Sequence, residues 1–218
     1  MTQTGFPTAL KGIWSMSRHL LTRRIHAPLG RVLALALAVT LPAAAAQAHS
    51  FSLAVLAGGE HAAAQLDSAV KGILLATQER DGHANETSDG HLGGLDVYIV
   101  PLPAFAAETI QGLKDVSQAS IDVAILLDPE AEVEQAMAEL EPQTVIMRPG
   151  TINPEPTEAS KMFATRFRTA YGTEPDQSAV AGYNAARRVD LAVRPLGGVD
   201  DRPALEAALA ASKGGIEW

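Results

Sequence analysis

The chain has 218 residues, no cysteine and a formal net charge of −8. Without cysteine, disulfides, thiolate metal sites, thiol catalysis and a lipidated-cysteine anchor are all excluded. Residues 1–48 hold five basic side chains (Lys11, Arg18, Arg23, Arg24, Arg31) and no acidic one, so residues 49–218 carry −13, a charge that repels phosphate backbones and anionic lipid and argues against nucleic-acid or membrane-surface binding.

The basic stretch is followed by an apolar run over residues 32–41, then Pro42, a string of alanines and Ala46-Gln47-Ala48. That order is the n-region, h-region and small-residue cleavage site of an export signal, and it predicts cutting after Ala48 and a periplasmic location. The run is far shorter than the roughly 20 residues that span a bilayer, so no membrane insertion is expected after cleavage. Met16 is an alternative start, and Thr22-Arg23-Arg24 leaves Sec and twin-arginine export both open, although His26 stands where twin-arginine signals have an apolar residue.

About 170 residues remain, enough for one domain over 49–218 and too few for two full ones. The apolar run 51–57, closed by Gly58-Gly59, predicts a buried strand. Leu66, Val70, Ile73 and Leu74 recur at helical spacing, predicting a helix over about 61–80. The polar, glycine-rich segment 81–94 reads as a loop, with Gly93-Gly94 as turn punctuation. A second strand over 95–100 is expected to stop at Pro101 and Pro103, and a weaker helix over about 104–118 leads to a third strand, 121–127. Asp128, Pro129, Glu130 and Glu132 then suit a helix start, with Val133, Met137 and Leu140 as its buried stripe. Residues 144–147 predict a fourth strand, closed by Pro149-Gly150.

Strand and helix in strict alternation predict right-handed crossovers and an α/β fold with a mostly parallel sheet. Three helices should follow. Phe163, Phe167, Ala170 and Tyr171 mark the first, ending at Gly172; Val180, Tyr183, Ala186, Val189, Val193 and Leu196 mark the second, ending at Gly197-Gly198; the third runs over about 201–211 with Pro203 in its first turn. They are expected to cover the sheet faces that the crossover helices leave bare.

The C-terminal string carrying Tyr171-Gly172, Pro175 and Gly182-Tyr183-Asn184-Ala185-Ala186 resembles the last part of the periplasmic solute-binding proteins of the leucine/isoleucine/valine-binding type. The segments at 51–82 and 93–100 are similar to the first strand, glycine-bearing loop, first helix and second strand of that family. The resemblance implies a three-layer lobe of the type I periplasmic-binding-protein kind. It also implies an exported, non-catalytic component that hands a small solute to an ABC transporter permease. Members of the family have two lobes, whereas this chain passes almost directly from its fourth strand to the C-terminal helices. A single lobe is therefore expected, and a single lobe cannot close on a ligand by hinge motion. An alternative from another class stays open: an interaction or scaffold protein, paired as a homodimer or serving as an auxiliary of a periplasmic oxidation system, that has lost solute binding.

In open parallel sheets ligands sit beyond the carboxyl ends of the strands. That rule picks out Gly58, Gly59, Glu60 and His61 after the first strand, Asp128 (with Glu130) after the third, and Arg148 and Gly150 after the fourth. Asp128, Pro129 and Glu130 oppose an anion at their helix end and suit a self-capped helix; Arg148 either meets ligand or pairs with one of those carboxylates. In the loop 81–91, His83, Glu86, Asp89 and His91 form a candidate zinc, copper or nickel set, set against a simply solvated loop. No cofactor is expected. The nucleophile-elbow, phosphate-loop and zinc-protease motifs are all absent from the sequence, so the chain is read as non-catalytic.

Overall fold

A computed structural model describes residues 50–79, 87–103, 121–127, 131, 133, 135, 144–152 and 157–215. In chain order these form β1 (Ser50–Ala57), α1 (Ala62–Gln78), β2 (His91–Leu92), β3 (Leu95–Pro103), β4 (Val123–Leu126), β5 (Val145–Met147), α2 (Glu158–Tyr171), α3 (Gln177–Leu196) and α4 (Arg202–Ala211). Contacts divide the chain into Met1–Ala46, which lies outside the described residues, and Gln47–Trp218, the unit described below. The helix expected over 104–118 also lies outside them. Of the helix expected from 129 onward, residues 131, 133 and 135 are described, and they are helical.

The sheet has the order β2-β3-β1-β4-β5. β1 runs parallel to both β3 and β4, β4 runs parallel to β5, and only β2 is antiparallel to its neighbour. The fold is thus α/β with a mostly parallel, mixed sheet, as the alternation of elements predicts. β1 is central, and from Leu53 to Ala57 every side chain is buried. A strand enclosed on both faces must be apolar at successive positions, which explains the unbroken run in the sequence. β5, next to one strand among the described residues, alternates instead: Val145 and Met147 are buried while Ile146 is exposed.

Two expectations about the second strand need correction. It continues through Pro101 and Pro103 to pair along the whole of β1, Val55 lying opposite Pro101 and Ala57 opposite Pro103. The amides of Val97 and Ile99 point away from β1, donating to the Gly90 carbonyl at 2.9 Å and to Oδ2 of Asp89 at 2.7 Å. Pro101 and Pro103 share their parity, so the missing N–H groups fall on the outer side of the strand, where proline removes no ladder bond. The second correction is β2, inside the segment read as loop. Gly93 (φ 66°) and Gly94 (φ 87°) make a two-residue hairpin that sets Leu92 opposite Leu95. Positive φ at both central positions is the requirement of a tight hairpin turn, and glycine meets it without strain.

The C-terminal helices do not take the face opposite α1; they join it. Phe163 and Phe167 of α2, Tyr183, Val189 and Val193 of α3, and Leu205 and Leu209 of α4 share one apolar core with Leu66, Ala69 and Ile73 of α1 and with Leu53, Val55, Val123 and Val145 from the sheet. Ala54, Leu56, Leu102, Ala124 and Leu126 form a smaller cluster on the other face, with Val133 against it. Each fully buried Leu, Ile or Phe contributes about 1.5–3 kcal/mol, so among the described residues the face shared by four helices supplies most of the apolar stabilisation.

α1 and α3 cross at very short range. A Cβ placed on Gly72 would run into the carbonyl oxygen of Ala179, and one on Gly182 into that of Ala69. Glycine at both positions lets the two backbones touch. This accounts for the first residue of the Gly182-Tyr183-Asn184-Ala185-Ala186 string. Tyr183 stacks on Phe163 with ring centroids 4.5 Å apart, and Ala185 and Ala186 are buried.

Candidate functional site

Beyond the end of β4 and along β5 lies an open cleft of about 1070 Å³. Its sheet side is formed by Leu126, Leu127 and β5 with the following residues up to Ile152. The first turns of α3 (Gln177, Ser178, Ala181), the end of α4 (Leu209, Ala210) and Lys213 just after it supply the other walls. This position follows from the topology: β5 is an edge strand with no further strand beside it among the described residues, so the helices that cover the sheet leave a trough there.

Two buried polar residues of α3, one helical turn apart, hold the segment after β5 in place. Asn184 donates from Nδ2 to the carbonyl of Pro149 at 2.5 Å. Arg188, only 2% exposed, donates from Nη1 to the carbonyl of Arg148, from Nη2 to that of Leu209 at 2.7 Å, and from Nε to the hydroxyl of Ser212 at 3.1 Å. Leu209 lies in the last turn of α4, whose unpaired carbonyls carry the negative end of the helix dipole and suit a cation. Arg188 has no carboxylate within salt-bridge distance among the described residues, and burial lowers its pKa from the ordinary arginine value. A guanidinium has five N–H donors; three are engaged here. Gly150 (φ 90°) lies against this side chain, where a Cβ would meet Cδ and Nη1 of Arg188 at 3.2 Å.

Among the described residues the charge around the cleft is one-sided: Arg148, Arg188 and Lys213 line it, against the carboxylate of Glu206. Arg148 and Lys213 are exposed. Polar groups that could orient a bound molecule are Gln65 of α1, Thr151 and Ser178. Oε1 of Gln65 is buried with no hydrogen-bond partner.

Of the residues singled out from the sequence, Arg148 and Gly150 line this cleft and Gly58, Gly59, Glu60 and His61 do not. Gly59 (φ 78°) turns the chain from β1 into α1, Glu60 is exposed, and His61 is the exposed N-cap of α1, making no side-chain capping bond. Asp128 and Glu130 lie outside the described residues. So do His83 and Glu86 of the candidate metal set. Its other two members belong to the hairpin: Asp89 accepts from the amide of Ile99, and Nε2 of His91 lies 2.9 Å from Oδ1 of Asp96, its cross-strand partner. Among the described residues no group of three or more His, Asp or Glu side chains is arranged to hold a metal.

Sequence reasoning missed Arg188 and Lys213. Arg188 carried a signal: it occupies the buried stripe of α3 with Ala185, Val189 and Ala192, four residues after Asn184, so two polar side chains interrupt an apolar face. The adjacent Arg187 masks it, because one of two neighbouring arginines has to face inward and periodicity near a helix centre does not say which.

No helix among the described residues is long and apolar enough to cross a membrane. No protein-family model, curated protein or solved structure matches the chain.

Proposed function

We propose that this protein is an exported, non-catalytic solute-binding component related to the substrate-binding proteins of ABC transporters, working in the periplasm as a single lobe that presents a small molecule to a permease. The observation that carries the reading is the cleft of about 1070 Å³ beyond β4 and β5, walled by α3 and α4. Small-molecule sites occupy about 300–1,000 Å³ and combine apolar walls with a few convergent polar groups, and this cleft offers both. Two further features support it. Counted among themselves, the parallel strands stand in the order second, first, third, fourth, a doubly wound order of open α/β sheets. That order also fits one three-layer type I binding-protein lobe. The C-terminal string Gly182-Tyr183-Asn184-Ala185-Ala186 also resembles the leucine/isoleucine/valine-binding type.

The test is isothermal titration of the full-length chain against amino acids, alcohols and organic acids. Heat from at least one solute is expected, lost when Ala181→Trp fills the cleft. Silence from every solute, with light scattering giving a stable dimer, would replace this reading with that of an interaction or scaffold protein.

A further inference from the structure

Among the described residues, the cleft lining differs in sign from the chain as a whole: residues 49–218 carry −13, yet the described lining has three cations against one carboxylate. Several acidic side chains elsewhere have local partners of their own: Glu79 pairs with Arg166 at 2.9 Å, Asp190 with Arg194 at 2.7 Å and Asp67 with Lys71 at 2.6 Å. Arg188 does not follow this pattern. It is buried, carbonyl and hydroxyl oxygens are its acceptors, and two of its N–H groups have none among the described residues. A buried charge without a counter-ion is costly, and proteins meet that cost with a paired charge or with a bound ion of opposite sign. Lys213, on the rim of the same cleft, likewise has no carboxylate within salt-bridge distance among the described residues.

Resting on the solute-binding reading above, we propose that the cleft selects a small organic acid over neutral solutes of the same shape. The ligand carboxylate lies over the buried guanidinium of Arg188 and between the exposed cations Arg148 and Lys213. Arg188 acts as the fixed floor charge, because its three bonds to the end of α4 and to the segment after β5 leave it no freedom to move. Lys213 is exposed and can turn toward the ligand. A cationic recess in an acidic surface also concentrates anions from solution, since low-dielectric walls focus its field.

The experiment titrates the full-length chain with succinate and benzoate, and in parallel with their neutral amides, succinamide and benzamide. An acid is expected to bind at least about tenfold more tightly than its own amide, with Lys213→Gln and Arg148→Gln each weakening it by about tenfold. Arg188→Lys keeps the charge and is expected to retain binding, whereas Arg188→Met is expected to abolish it. Because Arg188→Met also removes bonds that hold the cleft wall, the two rim variants decide the matter on a protein whose core is untouched. Amides binding as well as acids would overturn the selection of anions and leave the solute-binding reading standing. Acids binding equally to wild type and both rim variants would overturn the placement of the carboxylate. Silence from both acids and both amides would overturn the inference, and the solute-binding reading falls with it only when amino acids and alcohols are silent too.

Discussion

The hydroxyl of Tyr183 donates to Oε2 of Glu79 at 2.9 Å, joining the middle of α3 to the C-terminal end of α1 across 104 residues of chain. Arg166 of α2 pairs with the same carboxylate at 2.9 Å and reaches the hydroxyl at 3.3 Å, and Arg187 donates to that hydroxyl at 3.2 Å. Three helices are thereby tied through one phenol and one carboxylate. Tyr183→Phe removes the hydroxyl while keeping the ring against Phe163. It is expected to cost about 1–2 kcal/mol in urea unfolding. Glu79→Ala is expected to cost more, since it strips both arginines of their shared partner.

Alkaline pH should loosen the same region. Burial first, and then the hydrogen bond and charge of Glu79, raise the Tyr183 pKa; burial also raises that of Tyr171. The folded state therefore favours the neutral phenols. Their contribution to stability is complete below the unfolded tyrosine value of about 10 and declines as pH rises from there through the folded values. The chain has three tyrosines. A Tyr98→Phe variant leaves Tyr171 and Tyr183, whose phenolate absorbance should develop above pH 10. Ionisation of both at or below that value would contradict the burial described here.

The contact between α1 and α3 tolerates no side chain. Gly72→Ala and Gly182→Ala each place a methyl group against a helix carbonyl, and backbone is less able to yield than the far end of a side chain. Each is expected to lower stability by about 1–3 kcal/mol, read from the urea midpoint. Gly172, whose Cβ would meet nothing within 4 Å but whose φ is 74°, provides the contrast. Gly172→Ala should cost only about 1–2 kcal/mol, from backbone strain alone.

Asn184 acts as a donor to the Pro149 carbonyl. Asn184→Asp would set a carboxylate against a carbonyl inside the protein. The expected loss is about 2–4 kcal/mol, larger than for Asn184→Ala, because a buried acceptor facing an acceptor is worse than a lost bond. Equal stability of the aspartate variant and wild type would show that this contact does not hold the cleft wall.

Asp190, fully buried on α3, accepts from the amide of Gly93 at 2.9 Å and from Arg194 at 2.7 Å. The β2–β3 hairpin is thus fastened to the helix by one carboxylate. Asp190→Ala is expected to speed hydrogen exchange of the Gly93 amide by about tenfold or more, with a stability loss of about 1–3 kcal/mol.

Local chemistry was enough to read most elements. β1 shows in the sequence because both its faces are enclosed, which demands consecutive apolar residues. The ends of α2 and α3 show because Gly172 and Gly197 take the left-handed conformation that stops a helix. The acidic charge of residues 49–218 and the lack of thiols are properties of composition and need no fold. What depends on residues far apart in the chain was not legible. Strand order, and with it the edge at β5, is set by pairings between β1, β3 and β4 that leave no trace in any one segment. Pro101 looks like a strand stop until the direction of its absent N–H is known. Arg187 and Arg188 are chemically the same side chain in adjacent places, and only the packing of α3 makes one a half-buried ion-pair partner of Glu79 and the other a buried charge beneath a cleft. Charge is written in the sequence, but whether it meets water, a counter-ion or a carbonyl is decided by the tertiary structure, because electrostatic energy depends on distance and burial.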